Sequence, residues 1–343
     1  MKIDTGLSPA APVDARQAAA DAERAGYAGL WTSETQHDPF LSLGLAAVAT
    51  DTIELGTAIV VAFARSPMSL AAQANDLQLL SRGRLLLGLG SQIKAHVTRR
   101  FSMPWSHPAP RMREYILALR AIWSCWHDGT KLDFRGDFYT HTLMTPFFNP
   151  GPNPHGAPKV LLAGVGDLMT AVAGEVADGF LCHGFTTERY LREVTVPALA
   201  RGRPGGDLTG YEISGTPFVA TGRTESELND AIRGVREQIA FYGSTPAYRG
   251  VLELHGWGGL SDELHGLSRQ GRWTDMGTAI DDDVLQAFAV VAEPGAVAGE
   301  LLRRYGDVMT RMTLYTPYHV DPEVTAQIVG DLRAAAGQQG QTT

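Results

Sequence analysis

Cysteine is scarce in this chain: Cys125 and Cys182 are the only two in 343 residues, too few for a disulfide framework. Neither stands in a Cys-x-x-Cys or other metal-ligand spacing. Positive charge is also short, because 29 Lys and Arg against 37 Asp and Glu leave a formal charge of -8, the opposite of a nucleic-acid surface. No run approaches the roughly 18 apolar residues of a membrane span. Met1-Lys2-Ile3-Asp4 leads into a strand-like segment and not a signal peptide, so a soluble cytoplasmic protein without nucleic-acid or membrane partners is expected. The motifs of several catalytic classes are missing too. There is no Gly-x-Gly-x-x-Gly in a βαβ setting, no Gly-x-Ser-x-Gly elbow, no His-Glu-x-x-His and no Walker lysine. His37, His96, His107 and His183 are not at paired spacings, so no metal site is expected.

What is present is organised around Gly83 to His96. Arg84 to Gly88 reads as a buried strand, short and apolar, as suits a parallel strand covered on both faces. Gly88 and Gly90 then remove two side chains at the strand end, where a flat ligand can approach the backbone, and Ser91, Gln92 and Lys94 place polar groups beside it. A glycine-terminated core strand followed by a polar loop is the plainer reading of the same residues.

Strand and helix patterns alternate around this stretch. Strands are expected at Lys2 to Leu7, Tyr27 to Ser33, Ile53 to Val61, Lys159 to Ala163, Asp178 to His183, Glu212 to Ala220 and Arg311 to Tyr315. Helices are expected at Pro12 to Ala25, Leu41 to Thr50, Met68 to Leu80, Arg111 to His127, Asp167 to Val176, from about Thr187 and ending before Arg201, Glu225 to Phe241, Asp283 to Ala292, Gly295 to Tyr305 and Pro322 to Ala336. Pro67 sits where the third helix begins. Eight strand and helix units without hairpin signals imply an α/β fold, a (β/α)8 TIM barrel with insertions at its C-terminal face. Residues 1–336 read as a single domain. Insertions fall at about 128–158, rich in Gly, Pro and aromatics and expected to cover the barrel mouth, and at 242–282, which carries Trp257 and Trp273. Residues 337–343 read as a flexible tail.

Active sites of such barrels are built on the loops after the strands, and the chemically crowded stretches fall there. Trp31 to Phe40 puts Glu34, His37 and Asp38 in one loop after strand two. Gly164-Val165-Gly166 opens a helix after strand five and suits a phosphate cradle, since free N–H groups and the helix dipole both favour an anion; a tight turn is the plainer reading.

Leu-Gly-Thr-Ala-Ile-Val-Val-Ala-Phe-Ala-Arg-Ser-Pro (55 to 67), Gly-Arg-Leu-Leu-Leu-Gly-Leu-Gly-Ser (83 to 91), Val-Leu-Leu-Ala-Gly-Val-Gly (160 to 166) and Ala-Gly-Glu-Val-Ala-Asp-Gly-Phe (173 to 180) resemble the bacterial luciferase-like flavin and deazaflavin oxidoreductases. The Ser91 to Phe101 run looks most like the branch that uses coenzyme F420. This resemblance implies an F420-dependent enzyme moving a hydride between cofactor and a small organic substrate. The alternatives are an FMN-dependent monooxygenase or a cofactor-binding protein without turnover. It also implies a cis peptide at Ala58-Ile59 in a bulge which, with Val60 and Gly90, backs the ring. Gly164, Val165 and Gly166 correspond to a phosphate-docking segment, with His183 and Gly184 as a second, and Glu34 to a carboxylate near the ring. Ser91, Gln92 and Lys94 lie beside the cofactor, Lys94 toward its acidic tail. Barrels of this family pair through helices two and three, so a homodimer is expected. Thr35 stands where related sugar-phosphate dehydrogenases have a catalytic His, and Ser91 to Lys94 replaces their acidic residue. His37, the nearest imidazole to that gap, is then the candidate proton donor, with Glu34 and Asp38 as neighbours that would favour its protonated form.

Overall fold

Short runs that are apolar on both faces, such as Leu85-Leu86-Leu87, need cover on both sides, and they form a closed parallel barrel in the computed structural model, which describes residues 1–7 and 12–339. In chain order the strands are β1 (Lys2–Gly6), β2 (Gly29–Thr32), β3 (Glu54–Thr57), β4 (Leu85–Gly90), β5 (Lys159–Gly164), β6 (Gly179–Cys182), β7 (Glu212–Gly215), β8 (Phe218–Ala220), β9 (Ala289–Val291) and β10 (Arg311–Thr313). All except β8 and β9 make the wall, and β10 closes it by pairing in parallel with both β7 and β1. The (β/α)8 barrel expected from the strand and helix alternation is therefore the observed fold.

The helices are α1 (Ala15–Arg24), α2 (Pro39–Ala47), α3 (Pro67–Leu80), α4 (Pro108–Asp128), α5 (Asp167–Val176), α6 (Val196–Gly202), α7 (Glu225–Gly243), α8 (Arg249–Leu254), α9 (Gly258–Arg269), α10 (Trp273–Thr278), α11 (Asp282–Phe288), α12 (Pro294–Tyr305) and α13 (Pro322–Gln339). Their starts follow capping chemistry. Asp38 accepts from Phe40 N at 2.8 Å and Ser66 from Ser69 N at 3.1 Å, each followed by a proline in the first turn. None of the helices among the described residues is long and apolar enough to cross a membrane. The expected tail begins within α13, which runs to Gln339, and residues 340–343 lie outside the described residues.

Three expectations about the second half of the chain are corrected. Glu225 to Phe241 was expected as the barrel helix after strand seven, but α7 packs on α8, α9, α10 and α11 in a helical cap with its own core of Val235, Ile239, Leu252, Leu264, Val284 and Phe288. The helix that leads back to the wall is α12, packed against α13. Asp283 to Ala292 is not one helix, because α11 stops at Phe288 and Ala289-Val290-Val291 pairs in parallel with β8, as β-branched residues favour. Glu212 to Ala220 likewise divides into β7 and β8 around Thr216-Pro217, where proline offers no N–H to a ladder. The first insertion differs in placement. It leaves the far end of α4, runs along the flank of α3 and α4 through Asn153, which donates to Asn75 O at 3.0 Å, and its hairpin, Phe134-Arg135 paired with Thr140-His141, lies beside the start of α4, where Arg111 Nε donates to Tyr139 Oη at 2.8 Å.

The barrel interior is tiered. Trp31, Leu86, Leu161 and Leu181 fill the middle. Below them lies a charged floor made by the first residues of the strands. Arg311, fully buried, holds Asp4 at 2.6 Å, Glu54 at 3.1 Å and Glu212 at 3.6 Å, and Lys2 holds Glu54 at 2.8 Å. Trp31 Nε1 ties the two tiers by donating to Asp4 at 2.8 Å. Burial alone would raise the Glu54 pKa, but the Lys2 hydrogen bond and the Arg311 charge outweigh it and hold the carboxyl below its usual value. A depressed carboxylate pKa contributes stability that is present at neutral pH and lost as pH falls through it. Removing Arg311 leaves buried Asp4 without a cation and Glu54 and Glu212 with Lys2 alone, so Arg311→Met should lower the unfolding free energy by about 3–5 kcal/mol in urea titration at pH 7. A loss below about 1 kcal/mol, the size of an exposed ion pair, would show that the floor does not depend on it.

Candidate functional site

Above the apolar tier the wall opens at one place. Leu55 and Gly56 pair with Leu85 and Leu86, an offset of 30, but Val60 and Val61 pair with Leu89 and Gly90, an offset of 29. One extra residue on the β3 side therefore bulges out. The Thr57 hydroxyl replaces the interrupted ladder, donating to Gly88 O at 2.8 Å and accepting from Gly88 N at 2.9 Å. A side chain at Gly88 would strike the Thr57 carbonyl, so the glycine is required for this approach. Within the bulge the Ala58-Ile59 peptide is cis, as the resemblance implied. Ala58 is exposed, Ile59 half-buried and Val60 buried. A Cβ on Gly90 would lie 2.9 Å from the Ile59 side chain. The result is a floor at the barrel mouth with Ala58 exposed and Ile59 packed against a Gly90 that carries no side chain.

The loop after β2 clamps this bulge. Ala58 N donates to Thr32 O at 2.7 Å and Glu34 N to Ile59 O at 3.1 Å. Glu34 Oε2 accepts from Val61 N at 2.8 Å and from Arg65 Nη1 at 2.6 Å, while Arg65 Nη2 donates to Asp38 at 2.8 Å. Burial would lower the Arg65 pKa, but the bonds from Glu34 and Asp38 outweigh it and raise it. Glu34 is thus a pinned carboxylate whose side chain is 8% exposed. His37 is exposed and makes no side-chain hydrogen bond among the described residues. The two acids expected to favour its protonated form are both engaged by Arg65. Arg65 was legible only as part of a loop; its role comes from pairing across two loops.

Ser91 and Gln92 lie half-buried beside the floor, and Lys94, Arg99 and Arg100 are exposed. No Asp or Glu occurs from residue 77 to 113, so this rim is cationic on a chain of charge -8. Arg100 donates to the Thr35 carbonyl, tying the rim to the β2 loop. After β5, Gly164, Val165 and Gly166 are half-buried and Gly166 precedes α5 with φ 83° and ψ 159°, a conformation essentially limited to glycine. Open space lies where a Gly166 side chain would be, so the first N–H groups of α5 are approachable. Gly164 differs: its Cβ would stand 3.0 Å from Met169 and 3.2 Å from Phe180, so packing already requires the glycine.

His183, expected at a phosphate, is otherwise occupied. Its Nδ1 accepts from Phe185 N at 3.0 Å, Nε2 lies 3.2 Å from Tyr248 Oη, and burial depresses its pKa to about 4. A neutral imidazole with both nitrogens engaged brings no charge to an anion. Gly184 is buried against Tyr315, 3.0 Å from where its Cβ would be. Tyr242 and Tyr248, which the sequence did not single out, meet His183 from the cap, and Tyr315, after β10, shares a hydrogen bond with Tyr242. Among the described residues no three His, Cys, Asp or Glu converge as metal ligands.

The clamp makes a double-variant test. Arg65→Met leaves Glu34 buried without its partner and should cost about 3 kcal/mol of stability, whereas Glu34→Gln added to it should restore most of that loss. Additive losses in the denaturation cycle would show that the two do not act as a pair.

The sequence model of luciferase-like monooxygenases matches residues 2–311. An uncharacterized Mycobacterium tuberculosis protein, Rv1360, is 55% identical over 314 residues, 91% of this chain and 92% of its own length. The 5,10-methylenetetrahydromethanopterin reductase of Archaeoglobus fulgidus is 22% identical over 323 residues, covering 90% of this chain and 91% of that one. Among solved structures, the coenzyme F420 dependent tetrahydromethanopterin reductase from Methanopyrus kandleri superposes with a TM-score of 0.77 at 20% identity, over 96% of this chain and 97% of that one. With the match spanning β1 to the start of β10, the chain belongs to the luciferase-like monooxygenase family.

Proposed function

We propose that this protein is an oxidoreductase that binds coenzyme F420 and exchanges a hydride with a small organic substrate. The observation that carries the reading is the bare floor of Ala58, Ile59 and Gly90 bordered by a cationic rim without acids. A flat ring is held by a flat floor, and an anionic tail by Lys94, Arg99 and Arg100. When bound, the deazaflavin supplies the hydride chemistry, and the protein binds, orients and shields it. Ala58, Ile59 and Val60 support the ring, Ser91 and Gln92 offer polar contacts at its edge, and Gly164, Val165 and Gly166 bring the α5 N–H groups to a phosphate. Asp167, the first residue of α5, is paired with Arg201, which offsets its repulsion of an anion there. Glu34 and Arg65 hold the bulge in shape instead of moving a proton.

Pairing of two copies through α2 and α3 belongs to the same proposal. Leu41, Val48, Leu79 and Leu80 on and beside these helices are 47–65% exposed, and α2 is apolar around its whole circumference, a pattern that fits cover on the outer side as well.

Fluorescence titration should give F420 at least about tenfold tighter binding than FMN, a difference of about 1.4 kcal/mol that one or two charge-assisted contacts to the tail supply. Equal affinity, or purification with FMN bound, would favour the monooxygenase reading. In sedimentation the protein should be a dimer, and Leu41→Glu with Leu80→Glu should make it monomeric with its helical signal intact. A monomeric parent would contradict the interface.

A further inference from the structure

Opposite the β3 bulge, three strands away in either direction round the barrel, the ends of β6 and β10 carry polar aromatic rings that turn toward one another. His183 follows β6 and Tyr315 follows β10, while the cap brings Tyr242, at the end of α7, and Tyr248 over them. The His183 ring stacks on Tyr248 at 4.6 Å and 26°, and meets Tyr242 edge-on at 4.6 Å and 81°. Phe218 stacks on Tyr315 at 4.8 Å and 20°. Tyr242 and Tyr315 share a hydroxyl-to-hydroxyl hydrogen bond of 3.0 Å, and His183, Tyr242, Tyr248 and Tyr315 all keep partial exposure.

Counting protons shows what this wall offers. In the tyrosine pair one hydroxyl donates to the other, so the accepting hydroxyl keeps a proton with no partner among the described residues. The same holds for Tyr248. His183 Nδ1 accepts from Phe185 N, which leaves its proton on Nε2, directed at the Tyr248 oxygen. The contacts within the wall involve no ammonium or guanidinium group. Arg249, next to Tyr248 in sequence, is held by Glu253 at 2.6 Å and by Asp262. Burial raises the Tyr315 pKa, helped by its bond to Tyr242, and pushes Tyr248 up to about 12, so Tyr248 and Tyr315 stay protonated through the physiological range.

We infer that this wall is the substrate-facing half of the site, that the Tyr242–Tyr315 pair is its proton donor, and that it takes an uncharged planar carbonyl compound, an aryl ketone or enone. The inference rests on the hydride-transfer reading above. Aromatic faces receive a flat apolar body, the free phenolic hydrogen marks the position of an oxygen, and a wall without cations gives a carboxylate or phosphate no charge to offset its loss of water. In the step itself the reduced coenzyme supplies the hydride, which forms a C–H bond at the carbonyl carbon or the conjugated β-carbon. At the carbonyl carbon the C=O π pair moves onto oxygen; at the β-carbon the C=C π pair becomes the new π bond between the α-carbon and the carbonyl carbon while the C=O π pair moves onto oxygen, giving an enol that tautomerises to the ketone. In either case the phenolic O–H breaks and its proton forms the new O–H. The phenolate recovers a proton from the neighbouring tyrosine and, through it, from solvent. The developing alkoxide or enolate is the basic end of this transfer, and positioned acids of this kind contribute about 10² or more in rate.

Two measurements decide it. By calorimetry on the apo protein, benzylideneacetone should bind at least about tenfold tighter than its para-carboxylate, a difference of about 1.4 kcal/mol. Equal or tighter binding of the carboxylate, or no binding of the ketone, would overturn the substrate class. With reduced F420 and benzylideneacetone, Tyr242→Phe/Tyr315→Phe, which keeps both rings, should lower kcat about 10²-fold with coenzyme affinity and the KM for the ketone little changed. Retained turnover in that variant would overturn the donor. Failure of the parent to bind F420 would count against the cofactor reading alone, because the calorimetry on apo protein reads the wall without it.

Discussion

The site depends on one residue too many in β3. The pairing offset with β4 drops by one between Gly56 and Val60, and the Thr57 hydroxyl carries the two hydrogen bonds the ladder loses there. Everything nearby accommodates that bulge. Gly88 is bare so that Thr57 can approach, Gly90 is bare so that Ile59 can lie across it, and Glu34 reaches over to take Val61 N. Arg65 neutralises Glu34 and Asp38 together, which lets a buried carboxylate stand at the edge of an apolar floor.

The charged floor below plays a different part. Arg311 and its three carboxylates sit at the strand starts, sealed from the mouth by Trp31, Leu86, Leu161 and Leu181. Charge that fixes the barrel is thus separated from charge at the mouth. The cationic rim of Lys94, Arg99 and Arg100 stands at the opposite end, beyond the apolar tier. Where the cap meets the ends of β6 and β10 it adds a third environment, a ring cluster whose internal contacts involve no cation, across the mouth from the bulge.

How much of this could be read from the chain depended on how local each signal is. The Ala58-Ile59 bond was implied only by the family resemblance, whereas the strand after Gly83, the glycines at 88 and 90 and the Gly166 turn are set by neighbouring residues and were legible in a short stretch. The cap was not, because glycines at 256, 258, 259, 266, 271 and 277 argue against helices that burial of Val251, Leu252, Leu264 and Met276 then imposes. Pro217 hid the break between β7 and β8 inside an apolar run. The Glu34–Arg65 clamp and the ring cluster of residues 183, 242, 248 and 315 join side chains about 30 to 130 positions apart, so neither leaves a spacing to find. Glu34 stands at the bulge, held by Arg65, and His183 stands under the cap, held by Phe185 N and Tyr248.

The central claim is that the β3 bulge and the rim after β4 together hold the cofactor. Hydrogen exchange read by mass spectrometry, with and without F420, tests it directly, since amides covered by a ligand or ordered by it exchange more slowly. The account predicts added protection in segments 57–65 and 88–100 and at the start of α5, with the charged floor unchanged. Protection confined to the cap, or absent from the bulge and the rim alike, would contradict it.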